Sequence, residues 1–155
     1  MKQITIKLNN EMRIVYVKPE ETLLDVLREK LGVKSPKCGC DRGDCGACAV
    51  LLNGRSVRSC LVLAIETDGQ EIVTVEGISK NGMTKVQNTM LDKNAFQCGF
   101  CAPGMVISTT ELLEKNPHPK LEEIQEALSG NLCRCTGYLP ILESVQEATK
   151  EDNHA

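Results

Sequence analysis

The pattern of apolar and polar residues changes about half-way along this chain. Residues 3–8 alternate polar and apolar side chains with a period of two. In residues 12–17, one face carries Met12, Ile14 and Tyr16 at alternate positions. A period of two is typical of β-strands, and the polar residues between the runs favour a turn. The first seventeen residues therefore predict a β-hairpin.

A helix and further strands are predicted next. Thr22 begins a capping-box signal, and leucines follow at every fourth position up to Leu31. After a cysteine-rich loop, Asn53-Gly54 is the dipeptide favoured in type I′ hairpin turns, and residues 71–75 form another short apolar run. This order of elements predicts a β-grasp, plant-type ferredoxin-like domain over residues 1–77.

The second half has helical periodicity throughout. Polar, turn-prone residues at 78–83 predict a linker, and apolar residues then recur at intervals of three or four. They predict four helices: around Val86 and Met90, after Pro103, over Leu121–Leu128, and from Tyr138 to Ala148. The predicted fold class is therefore α+β, with a small four-helix bundle over residues 84–150 and a polar tail at 151–155.

Composition and charge exclude several classes of function. The net charge is −3 and the basic residues are scattered, so nucleic acid is not expected as a partner. No apolar run approaches the roughly 20 residues of a membrane span, and the first residues lack the features of a secretion signal. Nine cysteines without such a signal predict a reducing compartment, the cytoplasm, where metal stabilises two small cores.

Four cysteines in a glycine-rich stretch have an informative spacing. Cys40, Cys45, Cys48 and Cys60 read C-x4-C-x2-C-x11-C, as in plant-type ferredoxins that bind a [2Fe–2S] cluster. With four thiolates an oxidised cluster is a dianion, so its loop must bring backbone N–H groups close to sulfur, which glycines permit. Zinc sites favour two short cysteine pairs, and disulfide frameworks favour secreted proteins. The spacing therefore predicts an iron–sulfur cluster.

A second set of four cysteines lies in the helical half. Cys98, Cys101, Cys133 and Cys135 read C-x2-C-x31-C-x-C, and each pair precedes a predicted helix. Two helix N-termini converging there would direct free N–H groups and positive dipole ends at one anion. The spacing itself leaves two alternatives open, a second cluster or a structural zinc ion.

Three sequence motifs together resemble one known family. In order, CDRGDCGACAVLLNG, QCGFCAPGM and GNLCRCTGY are similar to motifs of the small iron–sulfur subunit of the molybdenum hydroxylases, the family of xanthine dehydrogenase, aldehyde oxidoreductase and carbon monoxide dehydrogenase. The resemblance covers residues 3–148. It implies two [2Fe–2S] clusters, one held by Cys40, Cys45, Cys48 and Cys60 and the other by Cys98, Cys101, Cys133 and Cys135.

The resemblance also implies partners and a role. It places a molybdenum–pterin cofactor on a large subunit and FAD on a medium subunit, so we expect a heterotrimer. Gln97 matches a family glutamine that hydrogen-bonds the pterin, and Cys135 borders the same face. The implied function is to pass single electrons from molybdenum through the two clusters to flavin or an external acceptor. No catalytic residue is expected in this chain, although it is part of an oxidoreductase.

Three other functions compete with this interpretation. 4-Hydroxybenzoyl-CoA reductase has a similar small subunit, through which electrons flow towards molybdenum instead. A free-standing ferredoxin-like carrier would use an acidic docking face, which a net charge of −3 does not favour. A zinc-stabilised adaptor would bind partners without redox chemistry.

Some residues near the motifs are assigned no function. If Cys38 replaced Cys40 as the first ligand, the spacing would be C-x6-C-x2-C instead of the ferredoxin spacing C-x4-C-x2-C. We therefore expect Cys38 to be a free thiol. Arg42 and Arg134 either offset cluster charge or are solvated. His118 is expected in an exposed turn.

Overall fold

The computed structural model describes residues 1–150, which form a five-stranded mixed sheet followed by a group of helices. The strands are β1 (Lys2–Leu8), β2 (Glu11–Val17), β3 (Ala49–Leu52), β4 (Arg55–Arg58) and β5 (Glu71–Val73). Their order across the sheet is β2-β1-β5-β3-β4. Strands β1 and β5 run parallel, and the other neighbours run antiparallel. The predicted α+β fold, with a ferredoxin-like domain first and a helical domain second, is confirmed.

The first hairpin forms as predicted, but its register decides which face of β2 is buried. Ile4 on β1 is paired with Val15 on β2, so Val15 and Val17 share the buried face. The alternate residues of β2 therefore lie on the opposite face of the sheet. They are strongly exposed, at 67%, 64% and 56% for Met12, Ile14 and Tyr16.

The predicted helix begins at the expected capping box and ends at a glycine. Thr22 Oγ1 accepts a hydrogen bond from the Asp25 N–H, and the Asp25 carboxylate accepts one from the Thr22 N–H, both 3.2 Å long. The helix consists of α1 (Leu23–Asp25) and a wider π-helical segment (Val26–Lys30). Gly32 then adopts a left-handed φ of +71°, which ends the helix.

Strand β5 is shorter than the predicted run at 71–75 because a side chain from the first hairpin redirects the backbone. The Thr74 N–H donates to Asn9 Oδ1 at 2.9 Å rather than to a neighbouring strand. A short helix, α2 (Val75–Ile78), follows at once. Two short 3₁₀ turns, Ser59–Leu61 and Ala64–Thr67, lie between β4 and β5, and the first of them contains Cys60.

Four longer helices form the second half, as the periodicity predicts. They are α3 (Lys85–Asp92), α4 (Ala102–Lys115), α5 (Leu121–Leu128) and α6 (Leu139–Ala148). Pro103 is the second residue of α4 rather than the first, and its missing N–H leaves no group unpaired there either. The shared core of these helices includes Val86, Met90, Met105, Ile124, Leu128, Ile141 and Val145. Within residues 1–150, none of the helices has the length and apolar character needed to cross a bilayer.

The two halves pack directly on each other. Helix α4 lies against β3, where Ile107 packs with Ala49 and Leu51 in a small buried cluster.

Turns at residues 79–82 connect α2 to α3. The division of the chain at residues 77 and 84 stays a prediction. The predicted tail at 151–155 lies outside the described residues.

Candidate iron–sulfur centres

The first cysteine site is formed by the loop before β3 and the 3₁₀ turn after β4. The Sγ atoms of Cys48 and Cys60 are 3.4 Å apart and both residues are buried. The Cys45 N–H points at Cys40 Sγ at 3.4 Å. The structure thus brings together the four cysteines of the first motif, although they are separated by up to twenty positions.

Backbone amides surround the outermost sulfur of this site. N–H groups of Arg42 and Cys45 point at Cys40 Sγ and lower the pKa of Cys40 to about 7. Burial, together with the neighbouring Cys48 thiol, raises the pKa of Cys60 to about 12. The loop therefore presents fixed N–H donors to a negatively charged sulfur at one end, as the sequence predicts for a cluster loop.

Glycines permit the sulfur atoms to lie this close to the backbone. A Cβ atom on Gly39 would lie 2.8 Å from Cys45 Sγ, so no larger residue fits there without a shift. Gly43 and Gly46 have φ angles of +86° and +74°, which other residues rarely adopt. Each of these three glycines has a steric or conformational reason to be present.

The second cysteine site lies between the start of α4 and the loop joining α5 to α6. The Sγ atoms of Cys98 and Cys135 are 3.5 Å apart, and both residues are exposed. Burial, together with the adjacent Cys133 thiol, raises the pKa of Cys101 to about 12. Cys133 Sγ also contacts the Thr136 hydroxyl at 3.0 Å. The four cysteines of the second motif thus form two neighbouring pairs.

A strained tyrosine supports the second site. Tyr138 adopts a left-handed φ of +72°, an uncommon conformation for a bulky residue. Its hydroxyl oxygen accepts a hydrogen bond from the Cys133 N–H at 3.0 Å. Helix α4 starts directly after Cys101, as expected. Helix α6 starts only at Leu139, three residues beyond the last cysteine-loop residue Thr136, so the residue that contacts the cysteine loop is Tyr138, just before the helix.

Two of the thiol pairs have the spacing of ligands on a shared metal ion. Two thiolates on one tetrahedral metal, with metal–sulfur bonds of about 2.3 Å, lie about 3.8 Å apart. The Cys48–Cys60 and Cys98–Cys135 separations are close to this distance. Each site can therefore present a pair of thiolates to one metal ion.

Gln97 lies beside the second site on the surface. Its Nε2 atom donates a hydrogen bond to the Cys135 carbonyl oxygen at 3.3 Å, and the Gln97 side chain is exposed. The two residues that the sequence assigns to the pterin-facing surface are therefore in direct contact.

The residues without an assigned function lie in exposed positions. Arg42 Nε donates to the Asp44 carboxylate at 2.6 Å, so its charge is already paired. Partial desolvation, together with the Asp41 carboxylate, raises the pKa of Cys38, which is exposed. Arg134 and His118 are exposed as well.

The two cysteine sites contact each other, and the sequence does not indicate this contact. The Leu132 N–H donates to the Cys45 carbonyl oxygen at 2.9 Å, which joins a residue next to Cys133 to a cysteine of the first motif. Lys37 Nζ, from the first half, lies 5.5 Å from the ring centre of Phe100 in the second motif. No periodicity or spacing indicates such contacts, because they depend on how the halves pack.

Two family models match the chain, and together they cover most of its length. A 2Fe-2S iron-sulfur cluster binding domain matches residues 6–74, and a [2Fe-2S] binding domain matches residues 74–146. Each match contains one of the two cysteine sites.

Characterised proteins and solved structures show the same relationship over nearly the whole chain. The nicotine 6-hydroxylase small subunit of Paenarthrobacter nicotinovorans is 49% identical, over 94% of this chain and 88% of that protein. The nicotinate dehydrogenase small FeS subunit of Eubacterium barkeri is 46% identical, over 95% and 94%. A chain of quinoline 2-oxidoreductase from Pseudomonas putida 86 superposes with a TM-score of 0.92 and 41% identity, over 96% of this chain and 93% of that chain.

Fold, sulfur geometry and relatives together define an electron-transfer protein with two [2Fe–2S] clusters. The chain belongs to the family of small iron–sulfur subunits of the molybdenum hydroxylases. It is the electron-transfer subunit of a molybdenum-containing oxidoreductase and forms part of a hetero-oligomer.

Proposed function

We propose that the eight motif cysteines are the cluster ligands and that the two sites act in series. Cys40, Cys45, Cys48 and Cys60 hold one cluster, and Cys98, Cys101, Cys133 and Cys135 hold the other. Each cluster, when bound, takes up and releases one electron at a time. The observation that carries this proposal is the direct contact between the sites, through the 2.9 Å hydrogen bond from Leu132 to Cys45.

The second site faces the molybdenum–pterin cofactor of a large subunit in this proposal. Cys98, Cys135 and Gln97 are exposed together, and the Gln97 side chain is held by the hydrogen bond from its Nε2 atom to the Cys135 carbonyl oxygen. Large apolar side chains next to the motif are also exposed, namely Phe100 (45%), Leu132 (53%) and Leu139 (62%). Such side chains favour a covering partner. Electrons then leave through the first site towards FAD on a medium subunit, in a cytoplasmic heterotrimer.

We also propose a substrate class for the complex. Nicotine 6-hydroxylase, nicotinate dehydrogenase and quinoline 2-oxidoreductase, which supply the relatives described above, are named for N-heteroaromatic compounds. The complex that contains this chain therefore oxidises a ring of this type, and the substrate binds on the large subunit.

The serial order is tested with Cys135→Ser in the assembled enzyme. Substrate should still reduce molybdenum in a single turnover, because the reaction at molybdenum does not involve this chain. Reduction of the first cluster and of the external acceptor should nearly stop, since electrons in the proposed series pass through the altered site. Rapid-freeze EPR follows each centre separately. Arg134→Gln is the matched control, because it changes the adjacent exposed residue and keeps every ligand.

Acceptor reduction at the wild-type rate in the Cys135 variant would show that the second site is not on the route. The comparison requires that the first cluster's EPR signal still appears on chemical reduction, because lost ligands also destabilise folding.

A further inference from the structure

A lysine from the first half of the chain lies over the second cysteine motif. Lys37 Nζ is 5.5 Å from the centre of the Phe100 ring, and Phe100 stands between Cys98 and Cys101 in the sequence. An ammonium group at this distance is attracted by the negative electrostatic potential of an aromatic face. The packing of the two halves therefore places a positive charge beside the residue that separates two of the proposed ligands.

Hydrogen bonds hold Lys37 in this place. Its N–H donates to the Ala47 carbonyl oxygen at 2.9 Å, and its Nζ atom donates to the Ser35 carbonyl oxygen at 3.4 Å. Pro36, between the two, is buried, and its carbonyl oxygen accepts a hydrogen bond from the Arg28 guanidinium at 2.8 Å. The Lys37 side chain is half-buried as a result, and its ammonium has a defined position.

The charges around Lys37 include thiols of the second site. Desolvation and the nearby charge of Arg28 lower the pKa of Lys37, whereas the Glu76 carboxylate and the thiols of Cys101 and Cys98 act to raise it. Among residues 1–150, no carboxylate forms a salt bridge with this ammonium. Negative charge at the second site is therefore a counter-charge within electrostatic reach of Lys37.

We propose that Lys37 raises the reduction potential of the cluster held at the second site, so that a residue of the first half adjusts the electron carrier of the second half. An oxidised cluster with four thiolates is a dianion, and uptake of one electron makes it a trianion without forming or breaking a bond. A fixed positive charge stabilises the more negative form more strongly, so it favours reduction. This inference rests on the ligands proposed above.

A purely structural role for Lys37 is the competing explanation. The contact with Phe100 joins the two halves, so a structural lysine would change the stability of the protein when replaced. It would leave the potentials of correctly loaded clusters unchanged. The half-buried position favours the electrostatic role, because a charge that is partly shielded from water is screened less by solvent and salt.

The test compares Lys37→Met with Lys34→Met in the assembled, cluster-loaded enzyme. Methionine keeps an apolar stem and removes the charge. Lys34 is exposed, and its Nζ atom donates to the Arg28 carbonyl oxygen at 2.9 Å rather than lying over Phe100. Its variant therefore makes the same change in net charge at a neighbouring position. An anaerobic titration followed by EPR measures the midpoint potential of each cluster, with dithionite as the electron donor.

In Lys37→Met the second cluster should be harder to reduce. Its one-electron equilibrium constant should fall roughly three- to tenfold, which corresponds to about 30 to 60 mV. The first cluster should shift less, because the ammonium lies over the second motif. Lys37→Arg keeps the charge and should have potentials close to wild type, as should Lys34→Met. The EPR signal that persists in Cys40→Ser identifies the second cluster.

Three outcomes would overturn the inference: an unchanged potential of the second cluster in Lys37→Met, a larger shift of the first cluster, or an equal shift in Lys34→Met. If Lys37→Met does not load its clusters, Lys37→Gln removes the charge and keeps a donor for the Ser35 carbonyl oxygen. It should give the same shift, and an unchanged potential there would count equally against the proposal. Failure of the underlying ligand assignment would show differently, as missing iron in the wild-type chain.

Discussion

At the scale of single residues, Cys38 and Cys40 are two positions apart but lie in different surroundings. Cys40 Sγ lies among backbone N–H groups that lower its pKa to about 7, so the thiolate that binds metal is favoured. At Cys38, by contrast, partial desolvation and the nearby Asp41 carboxylate raise the pKa. The backbone conformation of the loop, rather than residue type, therefore makes these two thiols differ.

This difference predicts the result of two matched substitutions. Cys40→Ser should remove the EPR signal of the first cluster and about half of the bound iron, because one ligand of two [2Fe–2S] clusters is lost. Cys38→Ser should leave the iron content, both EPR signals and turnover close to wild type. Metal analysis of the anaerobically purified variants measures their iron content, and EPR spectroscopy measures their cluster signals. Loss of a cluster in the Cys38 variant would mean that the ligand assignment is shifted.

At the scale of elements, Glu76 ties helix α2 to the segment before the first cysteine loop. Its carboxylate accepts hydrogen bonds from the Ser35 hydroxyl at 2.5 Å, the Ser35 N–H at 3.0 Å and the Thr74 hydroxyl at 2.6 Å. Burial acts to raise the pKa of Glu76, but these hydrogen bonds outweigh it and lower the pKa below its ordinary value. The folded state therefore favours the ionised carboxylate.

Glu76→Gln should destabilise the protein by about 1 kcal/mol near neutral pH, a value reduced for solvent exposure. Because the folded-state pKa is lowered, the stabilisation is fully present above the unfolded-state pKa and disappears as the pH falls through the folded-state pKa. The difference between wild type and variant should therefore shrink at acidic pH. Urea denaturation followed by circular dichroism over a pH series measures it. Glu66→Gln, at an exposed position, serves as control, and a difference independent of pH would contradict this account.

At the scale of the whole molecule, several surfaces of residues 1–150 carry exposed apolar side chains. Among them are the surroundings of the second cysteine site and the outer face of β2 with Met12, Ile14 and Tyr16. A small subunit within a hetero-oligomer has large contact areas, so such side chains are expected on its surface.

The proposed substrate class is tested by capturing the complex through this chain. Affinity purification from the native host should recover a molybdenum-containing subunit and a flavin-containing subunit together with it. With an artificial electron acceptor, this complex should oxidise nicotinate or quinoline faster than benzaldehyde or xanthine. Dye reduction under anaerobic conditions measures each rate. A clear preference for the aldehyde or the purine would refute the N-heteroaromatic proposal without affecting the electron-transfer role.

Local residue patterns were enough to predict the hairpins, the longer helices and the composition of the sites. Periodicities of two and of three to four residues depend only on backbone geometry, so the hairpins and the four longer helices could be predicted. Capping at Thr22 and the turn at Asn53-Gly54 are likewise local. The two cysteine sets could be found because metal ligation requires fixed residue types at restricted spacings.

Which surfaces meet became known only from the folded chain. The register of β1 and β2 buried Val15 and exposed Ile14, although both are apolar. The bond from Leu132 to Cys45 joins residues 87 positions apart, and Asn131 is buried only because α4 packs across that contact. Long-range contacts of this kind depend on the packing of the two halves, and no local pattern encodes them. The sequence therefore indicated two electron carriers, and the packing of the halves set how they are connected.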